Sequence, residues 1–96
     1  MTDERASQIC IVTVTGRDKV GIVAKLAAVM AQVNINIVDI NQKILDGTFV
    51  MTMAVDIAKA ALPMDKIKAR IDKAAHELDL RITIQHENIF KAMHRV

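Results

Sequence analysis

Near the start of this chain the hydrophobic period switches from two residues to about 3.6, the change from strand to helix. Ile9 to Thr15 is a β-branched run, with Cys10, Val12 and Val14 on one face and Ile9, Ile11 and Thr13 on the other. Apolar side chains on both faces mark a central or two-sided strand. The run ends in Thr15-Gly16, a short polar turn follows, and a helix opens around Val20-Gly21-Ile22. A strand feeding an amphipathic helix through such a turn needs a sheet for the helix to pack on. The turn itself is also a binding feature. Glycine lets a small molecule approach the backbone, and the free N–H groups of a helix mouth favour negative charge.

The remaining pattern completes the sheet. Ile22, Leu26, Val29 and Val33 recur at helical spacing, with Val23 and Met30 widening the stripe, so a helix is expected from Lys19 to Val33. Asp18 is placed to cap its start, and Asn34 to stop it in a left-handed conformation. A strand from Ile35 to Leu45 follows, and Asp46-Gly47 is a two-residue hairpin signal. From Thr48 to Ile57, Phe49, Met51, Met53, Val55 and Ile57 share one face. Pro63 suits a first helical turn, and Met64, Ile67, Ile71, Ala74, Ala75 and Leu78 mark a second helix ending near Asp79. Leu80 to His86 alternates as a strand. Ile89, Phe90, Met93 and Val96 then suggest a short third helix, docked on the domain or on a partner.

The order is β-α-β-β-α-β. Right-handed crossovers turn it into a ferredoxin-like α+β sandwich, a four-stranded antiparallel sheet with two helices on one face and a short C-terminal helix appended. Residues 1–7 read as a frayed tail, 8–86 as the domain and 87–96 as a helical extension. The other sheet face is expected to be bare of helices in a monomer.

Composition bears on partners. The chain has 96 residues, of which 52% are hydrophobic and 2% aromatic, a large load of Val, Ile, Ala and Met for a domain of this size. Such a load implies a self-association surface, and a homodimer is expected. A net charge of +2 demands neither nucleic acid nor a membrane surface as partner. The single Cys10 lies in an apolar run and reads as core in a reducing compartment. The polar, acid-bearing N-terminus is no signal peptide, and no apolar stretch is long enough to span a bilayer. A cytoplasmic protein is expected. His76, His86 and His94 lack metal-ligand spacing, so neither metal nor cofactor is implied.

Thr13-Val-Thr-Gly-Arg-Asp-Lys-Val-Gly-Ile-Val-Ala-Lys-Leu-Ala, followed by Asn34-Ile-Asn-Ile-Val-Asp-Ile, resembles an ACT domain, and the resemblance covers roughly residues 8–86. It is most similar to small stand-alone prokaryotic ACT proteins of unassigned function. The N-terminal ACT segment of formyltetrahydrofolate hydrolases and the glycine-cleavage regulators also resemble it. The resemblance implies a regulatory, non-catalytic protein that binds a small-molecule effector, an amino acid, at a homodimer interface and serves a metabolic enzyme. It also implies the site: backbone contacts from Val20, Gly21 and Ile22, a polar group from Asp18, and Asn36 from the facing subunit. Two departures are Val20 where proline is common and Asn34 where glycine is common.

Each of these residues also has an architectural role to play: Asp18 as cap, Gly21 for close packing, Asn36 as a strand start. Arg17 and Lys19 flank the turn and are expected to be solvated. Asp39, Asn41, Gln42 and Lys43 form a polar cluster suited to an outer strand. Other uses of this topology fit less well. An RNA-binding sheet needs stacked aromatics, and only Phe49 lies on a strand. A metal chaperone needs paired cysteines in the first loop. An acylphosphatase needs a glycine-rich anion loop around Arg17. The alternative that stands is a ligand-free dimeric interaction module regulating a partner enzyme.

Overall fold

The computed structural model describes residues 7–93. Most of the expected tail, together with His94 and Val96, lies outside the described residues. The elements are β1 (Ile9–Arg17), α1 (Ile22–Gln32), β2 (Asn36–Leu45), β3 (Thr48–Asp56), α2 (Met64–Leu78), β4 (Leu80–His86) and α3 (Glu87–Met93). The strands form one antiparallel sheet in the order β2-β3-β1-β4. This is the ferredoxin-like βαββαβ arrangement with a C-terminal helix.

The core follows from alternation on the two central strands. Cys10, Val12 and Val14 of β1 and Phe49, Met51, Met53 and Val55 of β3 are buried beneath Ile22, Leu26 and Met30 of α1 and Ile67, Ile71 and Ala74 of α2. Flexible methionines fill the space between helix and sheet. Burial pushes the Cys10 thiol above its ordinary range; the Glu87 carboxylate adds to that and Lys68 opposes it.

Turn chemistry fixes the joints. Asp46 and Gly47 both take positive φ, 53° and 80°, as a hairpin that matches strand twist requires. The end of α1 closes through Asn34 at φ 59°, with the Asn34 N–H donating to Ala31 O at 3.2 Å and the Ile35 N–H to Met30 O at 2.9 Å. These are the paired bonds of a Schellman motif, which satisfy carbonyls that would otherwise be orphaned.

Three expectations need correction. Helix α1 starts at Ile22, not Lys19, and its cap is Gly21 in a left-handed conformation with no side-chain bond, so Asp18 does not cap it. Pro63 is the cap of α2 rather than part of its first turn. The sheet face opposite α1 and α2 is not wholly bare. Helix α3 packs on β1 and β4, and Gln85 Nε2 donates to Met93 Sδ at 3.3 Å on that face.

Candidate functional site

The loop between β1 and α1 is held from two sides. The Asp18 N–H donates to Gly47 O of the β2–β3 hairpin at 3.0 Å, and Lys19 Nζ donates to Leu78 O in the last turn of α2 at 2.5 Å. Lys19 is therefore engaged rather than merely solvated. Between these anchors the chain rises to Val20, which is fully exposed, and Gly21 at φ 92° with open space where a Cβ would lie. A side chain here would meet no atom but would strain the backbone. With neither a side-chain cap nor an acidic residue in the first turn, the opening N–H groups of α1 point at whatever occupies the space before them.

That space is an open cavity of about 450 Å³. Asp18, Gly21 and Ile22 line it, as do Val23 and Ala24 of α1 and Gln42, Lys43, Ile44 and Phe49 from the strands. Three of the expected residues are thus together. Val20 sits beside them at the tip of the same loop. Asn36 is not among them. It opens β2 opposite Asp56 and lines a separate, more polar cavity of about 630 Å³ with Ser7, Asn34 and Lys59. There Asn34 Nδ2 donates to Lys59 O at 2.8 Å, and Asp56 Oδ1 accepts from the Gln8 and Ala58 N–H groups at 3.0 Å each. The eleven residues of α1 separate the two cavities, roughly 16 Å of helix at 1.5 Å per residue.

The strand residues at the first cavity were not singled out by sequence reasoning as ligand contacts. The reason is a bulge. Ile37 pairs with Val55 and Asp39 with Ala54, which leaves Val38 as an extra residue. Beyond it Ile40, Gln42 and Ile44 oppose Met53, Met51 and Phe49 and so share the helix-covered face. Asp39, Asn41 and Lys43 share the other face, so the polar cluster is split in two. A signal was available. Counting back from the Asp46-Gly47 hairpin gives the same pairing, and the inward set Ile35, Ile37 is out of step with Ile40, Ile44 by one residue.

Strand β2 ends the sheet, and among the described residues no strand pairs with its outer side. Val38, Ile40, Ile44 and Leu45 are 56%, 42%, 60% and 59% exposed. These apolar side chains are interspersed along the edge with the polar Asp39, Asn41, Gln42 and Lys43, and the Val38 bulge interrupts it.

With this geometry in place, the similarities to other proteins are specific. A family model described as ACT domain matches residues 8–85. A UPF0237 protein of Methanocaldococcus jannaschii is 45% identical over 86 residues, which cover 90% of this chain and 96% of that one. An ACT domain protein from Streptococcus pneumoniae superposes with a TM-score of 0.76 at 32% identity, over 93% of this chain and 100% of that chain. A formyltetrahydrofolate deformylase from Pseudomonas syringae pv. tomato shares the fold, with a TM-score of 0.78 at 20% identity, over 84% of this chain and 28% of that one.

Proposed function

The chain belongs to the ACT domain family, and on that premise we propose that it is a stand-alone regulatory protein that binds an amino acid at a homodimer interface. The observation that carries the reading is the edge of β2, partly apolar and unpaired among the described residues, beside the cavity at the start of α1. If two β2 edges pair antiparallel about a two-fold axis, the beginning of one strand lies opposite the end of the other. Gln42 and Ile44 near that end line the cavity that holds Gly21. Asn36 of one protomer then approaches Gly21 of its partner, although α1 keeps the two apart within a chain.

The chemistry suits an amino acid. Its carboxylate accepts from the opening N–H groups of α1, where an anion gains about 0.3–1 kcal/mol from the helix dipole at an exposed site. The Asp18 carboxylate pairs with the ammonium. Asn36 supplies both a donor and an acceptor to orient the remaining polar atoms. Aliphatic walls from Ile22, Val23 and Ile44 receive the side chain. No catalytic step belongs to this reading. Regulation follows by linkage: the ligand shifts a partner enzyme's affinity only as far as it binds one dimer geometry better than another, about 1–3 kcal/mol in typical cases.

Calorimetry with the twenty amino acids tests the reading. At least one is expected to bind. Asn36→Ala should weaken it about tenfold, the loss of one charge-assisted hydrogen bond, and Gly21→Val should weaken it by straining the left-handed loop backbone at the cavity mouth. A second reading, the ligand-free dimeric module, is favoured by Val20, an apolar side chain wholly in solvent at the loop tip. Silence across the panel from a stable dimer would select that module.

A further inference from the structure

We propose that the groove between α1 and α2 docks an acidic amphipathic helix of a partner protein. The groove lies on the helical side of the molecule, apart from the β2 edge, and measures about 540 Å³. Lys66, Arg70 and Lys73 recur at i, i+4 and i+7 along α2, and Lys25 stands across from them on α1. These four cations meet one carboxylate, Glu77, which pairs with Lys25 at 3.3 Å. The groove therefore carries a formal charge of +3 (4 − 1), more than the +2 of the whole chain (13 − 11). Among the described residues Lys66, Arg70 and Lys73 make no ion pair. The acidic Asp72 of the same helix is turned to the other flank, toward β4.

The floor between the charges is apolar. Val29 and Ala74 are buried there, and Leu62 is half-buried. Small alanine side chains at 69 and 74 keep that floor low. From Lys66 to Glu77 the groove runs along roughly 17 Å of helix, three turns. An incoming helix of that length lays its apolar stripe on the floor and its carboxylates against the rim cations, the helix-in-groove mode of recognition. Such a rim sets encounter rate and orientation more than final affinity, and its contribution falls with salt. Single-stranded nucleic acid fits less well, because no aromatic side chain lines the groove for a base to stack on. The apolar floor of Val29, Leu62 and Ala74 offers nothing to a duplex backbone.

The test is fluorescence anisotropy of the full chain with a labelled synthetic helix carrying a Leu/Ala stripe flanked by glutamates. Binding is expected, weakening as salt is raised from 50 to about 500 mM, where the screening length shrinks to a few ångströms. The triple variant Lys66→Glu, Arg70→Glu, Lys73→Glu is expected to bind at least tenfold more weakly. All three side chains are exposed, so the fold should survive, and a melting curve checks it. The milder Arg70→Gln should lose less. Four outcomes overturn the proposal: no binding of the helix, equal binding of a scrambled peptide or of polyglutamate, tighter binding of single-stranded RNA or duplex DNA than of the peptide, or no loss in the variants. None of these residues lines the amino-acid site proposed above, so the triple variant should keep its amino-acid binding and its sedimentation behaviour. Failure of the amino-acid screen would leave the peptide result standing.

Discussion

Strands β4 and β2 both end the sheet, and both turn isoleucines toward the helices, yet the chain buries those of one edge and leaves those of the other half exposed. On β4, Ile82 and Ile84 are buried, because α2 packs over the face of the strand to which they point. On β2, the equivalent Ile40 and Ile44 stay roughly half exposed, because α1 reaches the strand only along its inner margin. The difference lies in the helices, not in the strands. Isoleucines that the chain covers itself contribute to folding; those left half exposed at an edge contribute to association.

The largest effect should come from cutting into the buried edge. Ile84→Ala removes a buried side chain and is expected to cost about 2–5 kcal/mol in urea unfolding, with no change in assembly. Ile44→Ala, at the open edge, should cost the single chain far less. If the two substitutions cost a monomer the same, the asymmetry of the edges is wrong. Next in size, Ile40→Glu with Ile44→Glu places two carboxylates on the open edge. Sedimentation should show association of the proposed dimer weakened at least tenfold, with secondary structure intact. A double variant that stays fully dimeric would move the interface elsewhere.

The smallest effect concerns Cys10, which faces the core between the two kinds of edge, opposite Val55 of β3 and His86 of β4. Its thiol titrates higher in the folded chain than in the unfolded one, chiefly through burial. The native state therefore holds a proton that the unfolded state releases as pH rises through the ordinary thiol range. Stability from this group is intact below that range and declines above it. Urea unfolding of Cys10→Ala should show a flatter profile across that window.

Much of the architecture was legible because its signals are local. The hairpin needs positive φ at two positions, and Asp46-Gly47 declares it. Asn34 tolerates the left-handed stop, and the alternation of Phe49, Met51, Met53 and Val55 assigns the core face of β3. The site was legible only in part. Gly21 could be read as the helix mouth, but its role as cap could not, because Asp18 three residues earlier carries the stronger capping preference. The anchors that hold the loop, Gly47 O and Leu78 O, are backbone atoms distant in sequence and leave no trace in composition. The course of α3 depends on a Gln85–Met93 contact that helical periodicity does not encode.

The surplus residue at Val38 determines where β2 tolerates a change in length. Excising Val38 would straighten the ribbon and leave Ile40, Gln42 and Ile44 turned toward the helices, since their register is counted from the hairpin. Excising Asn41 instead would swing Ile40 to the opposite surface and bring Asp39 beneath α1. Shortening by one residue is thus harmless at one position of this strand and, three residues further on, exchanges a greasy border for a charged one.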